Sequence, residues 1–145
     1  MLVKLLPEQT SEFWPILELG LRKTLPPGEI SGPTFWTDLL DSLLAGQTAC
    51  WVFYQASDSV PVGFVLTQIV GRVVSGYNDL LIYAIYGWID VPPKAWIDGY
   101  HTLSQYAKAS GCKKITAFTD VPQILGLAKT FGAKTRNYVE LELEA

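Results

Sequence analysis

The sequence predicts an α+β domain in which a mixed, mostly antiparallel sheet carries helices on both faces. Apolar residues recur at helical spacing up to Leu44, aromatic and β-branched runs follow from Ala49, and helical spacing returns after Pro92-Pro93. Helices, then strands, then helices again are typical of an α+β arrangement. A chain of 145 residues can bury one sizeable core but not two. We therefore predict a single domain over residues 1–145.

The chain begins with a predicted strand and a predicted helix. Residues 2–6 are mostly apolar and stop at Pro7, after which Thr10 and Ser11 are candidate N-caps. Pro26-Pro27-Gly28 is a strong helix-ending signal. The apolar residues at helical spacing, which we predict to face the core, are Phe13, Ile16, Leu17 and Leu21.

A second helix is predicted between Pro33, at its first position, and Gly46, at its C-terminal stop. Asp38 and Asp41 fall on the opposite face and are predicted to contact water. The predicted buried stripe of this helix consists of Phe35, Trp36, Leu39, Leu40, Leu43 and Leu44.

Three strands are predicted next. Residues 51–54 and 62–70 are rich in aromatic and β-branched side chains and are separated by turn-forming residues at 56–59, which predicts a hairpin. Residues 80–86 follow a turn around Ser75 and Gly76. Because this third run is apolar on both faces, it predicts a central strand covered by helices on each side.

The late part of the chain predicts helix, strand, helix and strand. The strands cover residues 114–119 and 138–144, and the helix between them covers residues 122–131 and closes on Gly132. The last strand alternates, which places Val139, Leu141 and Leu143 inward and its glutamates on the solvated face of an edge strand. The earlier helix, after Pro92-Pro93, has a narrow apolar arc made of Trp96, Tyr100, Leu103 and Ala107.

Composition and charge exclude several classes of function. A net charge of −3 and a pI near 5.0 argue against nucleic-acid binding, which needs a concentrated basic face. One histidine and two distant cysteines, Cys50 and Cys112, make no metal site, and both thiols are interpreted as buried and reduced. No signal peptide and no apolar run near ~20 residues is present. We expect a cytoplasmic protein without a membrane partner.

Two stretches resemble a known family. The run Trp51-Val-Phe-Tyr followed by Pro61-Val-Gly-Phe-Val is similar to a hairpin of the GNAT superfamily of acyl-CoA N-acyltransferases. The run Ala107-Lys-Ala-Ser-Gly-Cys-Lys-Lys-Ile is similar to the end of that family's third helix. The resemblance covers nearly the whole chain in element order. It implies a GNAT-like fold and, in an active member, acetyl-CoA as the cofactor.

The resemblance also implies where the cofactor would bind. In active members a glycine-rich loop before the third helix holds the diphosphate through backbone N–H groups, which a helix N-terminus supplies. Here residues 88–94 contain no glycine, two prolines that cannot donate and one repelling carboxylate, and Lys94 is the only compensation. The candidate cofactor-binding residues are Tyr86, Trp88 and Lys94.

The catalytic residues implied by the resemblance are incomplete. Many members protonate the leaving thiolate with a tyrosine four residues before the glycine that ends the fourth helix, and that position is Ala128 here, which has no proton to give. Tyr106 and Tyr138 are the alternatives. Asp79 is the nearest carboxylate for a general base, although Asn78-Asp79 is also ordinary turn chemistry.

Two functions remain open. In the first, the chain has lost acetyl-CoA-dependent catalysis and serves as a binding or assembly protein with an unknown protein partner. The C-terminal half resembles GNAT-like proteins of tailed phages, which implies a phage or prophage origin and a cytoplasmic or virion-associated location. In the second, the chain is an active N-acetyltransferase with an atypical cofactor loop and an amine substrate. Residues 88–94 and Ala128 favour the first.

Overall fold

The chain folds as a five-stranded sheet with helices on both faces. The structure is a computed structural model that describes residues 1–25, 30, 32–54, 61–72, 74, 76–87, 91–119 and 122–144. Within these residues the strands are β1 (Leu2–Lys4), β2 (Thr48–Tyr54), β3 (Pro61–Gly71), β4 (Asn78–Gly87) and β5 (Cys112–Ala117). The helices are α1 (Pro7–Thr24), α2 (Phe35–Leu44), α3 (Pro93–Ala109) and α4 (Pro122–Thr130). The predicted α+β class is confirmed.

The strands lie in the sheet in the order in which they occur in the chain. β1 to β4 pair antiparallel, and β5 pairs parallel to β4 after the crossover through α3. The predicted hairpin of β2 and β3 and the interior position of β4 are confirmed. The predicted turns at residues 26–28, 56–59 and Ser75 lie outside the described residues, as does Asp90.

The two faces of the sheet bury separate hydrophobic clusters. Leu17, Leu21 and Phe64 lie in the cluster under α1 and α2, whereas Trp51 and Leu103 lie in the cluster under α3. Each cluster takes alternate residues of the same strands, as a pleated sheet requires. Burial on both faces explains why β4 is apolar throughout.

Helix α1 begins three residues before the predicted cap. Gln9 reaches back so that its Oε1 accepts a hydrogen bond of 2.8 Å from the Leu6 N–H, and Pro7 occupies the first turn, where a missing N–H costs nothing. Thr10 is therefore inside the helix, with its hydroxyl donating to the Leu6 carbonyl at 3.1 Å. Ile16 was wrongly predicted to face the core, because 42% of it is exposed.

Helix α2 begins at Phe35, two residues after the predicted start at Pro33, and ends as predicted. Gly46 has φ +81° and its N–H donates to the Leu43 carbonyl at 3.2 Å, so it terminates the helix in a conformation that favours glycine. Asp38 and Asp41 are exposed, as predicted. Leu44 is an exception to the buried stripe, because it is 41% exposed at the last helical position.

The predicted last strand does not form among the residues that the structure describes. Residues 138–144 have no strand partner among the described residues, and Val139, Leu141 and Leu143 are 81–87% exposed instead of inward. The alternating pattern specifies an amphipathic strand but does not specify the strand beside it. β5 pairs only with β4 in the described part of the chain, so its outer edge is open.

None of the described helices combines the length and the apolar character that a membrane span needs.

The contact of α1 with the sheet predicts a matched pair of glycine substitutions. A Cβ on Gly20 would lie 2.5 Å from Phe64 Cε2 and 2.7 Å from Tyr86 Cδ1, whereas a Cβ on Gly126 in α4 would meet nothing within 4 Å. We expect Gly20→Ala to lower the free energy of unfolding by about 1–3 kcal/mol through overpacking. Gly126→Ala should raise it by about 0.5–1 kcal/mol through helix propensity.

Chemical denaturation of both variants beside the parent protein measures the difference. A Gly20→Ala variant as stable as Gly126→Ala would mean that α1 does not sit on Phe64 and Tyr86.

Candidate functional site

Tyr83 is an extra residue in β4. Leu66 of β3 lies opposite Ala84, and the next residue, Thr67, lies opposite Ile82, so the register shifts by one residue at Tyr83. As a result two consecutive residues, Tyr83 and Ala84, both belong to the cluster under α1 and α2. Ile82 and Ile85, on either side of them, pack in the cluster under α3. Such a β-bulge bends the strand and increases its twist, and bulges are common next to active sites.

β4 and β5 separate where this bulge occurs. Their pairing ends at Ile82 and Ala117, but β4 continues to Gly87 and from Tyr83 onward is paired only with β3 among the described residues. Five residues of strand present about 17 Å of open edge. Alternate backbone N–H and C=O groups along this edge can pair with an extended chain that carries amides. We call residues 83–87 the open edge.

Backbone approaches backbone closely at the end of the open edge. Gly63 of β3 lies opposite Gly87, and a Cβ on Gly63 would lie 2.5 Å from the carbonyl oxygen of Tyr86. Gly63 therefore has no room for a side chain. Because Gly63 and Gly87 lie opposite each other, neither β3 nor β4 carries a side chain at this position.

The first turn of α3 lies beyond the open edge and supplies few hydrogen-bond donors. Pro92 caps the helix and Pro93 is its first residue, and neither has an N–H. The N–H groups of Ala95 and Trp96 both donate to the Pro92 carbonyl, at 2.9 and 3.3 Å. The Lys94 N–H remains as a backbone donor of this turn, beside the exposed Lys94 ammonium.

A hollow of about 270 Å³ adjoins the bulge on the α2 side of the sheet. Tyr83 lines it, so the hollow borders the first residue of the open edge, and Asp38 is the one charged side chain among the described residues of its lining. A carboxylate at the mouth of a partly apolar hollow favours a cationic ligand. The described lining residues are Thr34, Phe35, Asp38, Leu39, Ser42, Gln68 and Tyr83.

The structure brings two of the predicted cofactor residues to one end of the sheet. Tyr86 lies in the open edge, half-buried, with its ring centroid 5.5 Å from that of Phe64. Lys94 lies in the first turn of the helix that follows β4. Trp88 lies outside the described residues. Binding of a cofactor by these residues stays a prediction.

Asp79 lies at the opposite end of β4 from Gly87. Eight steps along the strand separate the two, or about 26 Å. Asp79 is 7% exposed, and its Oδ2 accepts a hydrogen bond of 2.6 Å from Nε of Arg72, which ties the two ends of the β3–β4 connection together. The ion pair agrees with the turn role that the sequence also allows for Asp79. The catalytic role of Asp79 stays a prediction.

The two tyrosines that are alternative proton donors both make ring contacts. Tyr106 packs edge-on against Trp51 at 4.9 Å under α3, and Tyr138 packs on Phe118 at 4.6 Å beyond the end of β5. Tyr83 was missed by sequence reasoning, because an apolar run does not show which residue is the extra one in a bulge. Its phenol lies where the open edge and the hollow meet.

Neither cysteine is a nucleophile at neutral pH. Burial raises the pKa of the Cys50 thiol to about 12, and burial together with the Asp79 carboxylate raises the pKa of the Cys112 thiol. Both therefore stay protonated, as predicted for buried reduced thiols. Among the described residues no group of three His, Cys, Asp or Glu side chains lies close enough to hold a metal ion.

Solved structures share this architecture over essentially the whole chain. A probable acetyltransferase superposes with a TM-score of 0.74 at 13% identity, covering 100% of this chain and 99% of that one. A ribosomal-protein-alanine N-acetyltransferase from Brucella melitensis biovar Abortus 2308 gives 0.67 at 17% identity, with the same coverage. The aminoglycoside N-acetyltransferase AAC(6′)-Iy, in complex with CoA, gives 0.66 at 18% identity, covering 99% and 93%.

At these identities the likeness establishes the fold, which is GNAT-like as predicted. No protein-family model matches the chain, and no curated protein matches its sequence.

The buried thiols predict a pH dependence of stability. The folded-state pKa of Cys50, about 12, lies above the unfolded value near 9.0, so its contribution is complete below about pH 9 and is lost as the pH rises through that interval. We expect the free energy of unfolding to fall above about pH 9, and to fall less steeply in Cys50→Ala. Denaturant titrations along a pH series measure both slopes.

Thiol labelling gives an independent check. A thiol reagent should modify neither cysteine of the native protein at about pH 8 and both in denaturant. Rapid modification of native Cys50 would contradict its burial.

Proposed function

We propose that the protein is an N-acyltransferase that uses acyl-CoA and acts on a cationic amine. One observation carries the proposal: the pairing of β4 with β5 ends next to the bulge residue Tyr83, and residues 83–87 continue as a strand that is paired only with β3 among the described residues. The likeness to acetyltransferases, one of them solved with CoA, supports it.

The residues of the open edge fit the pantetheine arm of coenzyme A. That arm is an extended chain with two amides, so it can pair with alternate backbone groups of residues 83–87 as an added strand would. Tyr86 covers the edge from the α1 side, and the paired glycines at positions 63 and 87 leave room at its end. When bound, acyl-CoA would supply a thioester activated toward amines.

The diphosphate has a weaker site. A helix N-terminus normally offers several N–H groups to an anion, but here the two prolines have none, and the Pro92 carbonyl accepts hydrogen bonds from the N–H groups of Ala95 and Trp96. The Lys94 N–H and ammonium provide the remaining attraction. We therefore expect affinity that depends on one lysine and falls with ionic strength.

The acceptor amine would enter through the hollow beside Tyr83. Asp38 can hold a cationic group of the acceptor, while Phe35 and Leu39 supply apolar contact. The attacking nitrogen itself must be uncharged, so the acceptor best suited to this hollow has a second positive charge. The Tyr83 side chain lines the hollow at the start of the open edge, which supports a position between the two proposed halves of the site.

A second function is favoured by the same helix start. Pro92, Pro93 and Ala128 together remove diphosphate donors and the family's usual acid, which suits a binding or assembly protein that has kept the fold and lost the chemistry. Its partner would be a protein. A phage or prophage origin belongs to this alternative and stays a prediction.

Acetyl-CoA binding separates the two proposals. We expect acetyl-CoA to bind and to raise the unfolding midpoint, since a ligand at ~100 times its Kd stabilises by about 2.7 kcal/mol. Lys94→Ala should weaken binding about fivefold to tenfold, whereas Lys108→Ala, at the other end of α3, should leave it unchanged. Calorimetric titration of the three proteins measures the affinities.

Absence of binding at millimolar acetyl-CoA would reject the acyltransferase and leave the binding protein. Equal loss in both lysine variants would show that general charge, not the α3 N-terminus, attracts the ligand.

The acceptor side is tested by a pair of aspartates on α2. We expect Asp38→Asn to raise the KM for a diamine acceptor about tenfold with kcat nearly unchanged, because the carboxylate binds the distal charge equally in the ground and transition states. Asp41→Asn removes an equally exposed charge of the same helix that does not line the hollow, and should leave KM as it is. Steady-state kinetics, followed by the release of the coenzyme A thiol, measures KM and kcat of both variants.

An unchanged KM in Asp38→Asn, with activity retained, would place the acceptor elsewhere without affecting the cofactor proposal.

A further inference from the structure

Two polar side chains of the hollow are joined through a buried hydroxyl group. Ser42 and Gln68 both line the hollow, and each is hydrogen-bonded to Thr48, which is 2% exposed. The Ser42 Oγ lies 2.6 Å from Thr48 Oγ1, and Nε2 of Gln68 donates to Thr48 Oγ1 at 3.2 Å. Thr48 and Gln68 are partners in the register of β2 and β3, so the paired strands hold the two ends of the second bond together.

The hydrogen bond to Thr48 determines which atom of the Gln68 amide is left for a ligand. A primary amide carries a donor nitrogen and an acceptor oxygen. Nε2 is committed to Thr48, whereas Oε1 accepts no hydrogen bond from a residue that the structure describes. Gln68 is half-buried and lines the hollow, so a ligand bound there satisfies Oε1 only if it supplies a donor.

A second acceptor lines the same hollow from α2. Asp38 lies four residues before Ser42, so the two are on one face of the helix, and the Asp38 carboxylate is exposed. The hollow therefore combines a negative charge with a neutral carbonyl oxygen. The charge attracts any cation, but the amide oxygen binds only a cation that has an N–H to donate.

We infer that the hollow selects a protonated amine over a quaternary ammonium, and that Gln68 makes the distinction. The inference rests on the proposed function for the role of this amine, which is the distal charge of the acceptor. An ammonium can donate one hydrogen to Asp38 and another to Oε1 of Gln68, whereas a trimethylammonium leaves the amide oxygen without a donor. A site built to hydrogen-bond its ligand discriminates against an analogue that lacks the donor. Thr48 is a positioning residue, because it holds the amide in this orientation.

The test compares two ligands with the same alkyl chain and the same single charge, butylammonium and butyltrimethylammonium. Titration followed by NMR chemical shifts, without acyl-CoA, should give the parent protein an affinity about tenfold higher for butylammonium. Gln68→Met should remove this preference by weakening butylammonium alone. Asp38→Asn should weaken both ligands, because both carry the charge. Gln105→Met, on the exposed side of α3, is the matched control and should change neither affinity.

The role of Thr48 is tested by the same ratio of affinities, which a loss of stability alone would not change. Thr48→Val removes the hydroxyl group and should reduce the preference for butylammonium, whereas Thr48→Ser keeps the hydroxyl group and should restore it. Circular dichroism checks that both variants are folded.

Three results would overturn the inference. They are equal affinity of the parent protein for the two cations, a preference that Gln68→Met retains, and absence of binding to either cation. A retained preference would mean that the larger size of the trimethylated group, and not its missing N–H, causes the selection. Each of these results leaves acetyl-CoA binding as it is, so failure of this inference and failure of the proposed function are distinguishable.

Discussion

Tyr83, the extra residue in β4, determines the shape of the proposed site. Without it, β4 would alternate regularly from Asn78 to Gly87, and β5 could follow it beyond Ile82. With it, Tyr83 and Ala84 both face α1 and α2, the strand bends, and its last five residues lose their neighbour on the β5 side. The open edge and the hollow beside α2 both begin at this residue.

β4 tolerates the open edge because its other edge is hydrogen-bonded to β3. β3 stays paired with β4 as far as Gly87, and Phe64, Tyr86 and Gly20 pack against one another on the α1 side. At the far end, the Arg72–Asp79 ion pair joins β3 to the start of β4 with little exposure of the carboxylate. Such a rigid scaffold around unpaired backbone groups is what preorganised binding requires. The weak point is the first turn of α3, where two prolines replace donors.

Sequence patterns could predict much of this fold because apolar residues recur in its helices and strands at the spacing expected for each element. The β2–β3 hairpin and the interior β4 follow from local composition, and Gly46 marks a helix end by its positive φ. The start of α1 depends on the Gln9 side chain, whose reach to Leu6 no periodicity shows. Neither Tyr83 nor the hollow could be predicted, since both depend on which residue is displaced between paired strands. Residues 138–144 have the alternating pattern of a strand, but the pattern does not specify a neighbouring strand, and none lies beside them among the described residues.

The most direct test of the account is hydrogen–deuterium exchange of residues 83–87 with and without acetyl-CoA. Residues 51–53 of β2, which are paired with β1 on one side and β3 on the other, serve as an internal reference. The account predicts that part of the amides in residues 83–87 exchange quickly in the free protein, because they face an open edge, and become protected when acetyl-CoA is added, while β2 is unchanged. Slow exchange of all five amides in the free protein would mean that the edge is already closed. Fast exchange that saturating acetyl-CoA leaves unaltered would mean that the edge is not where the cofactor binds.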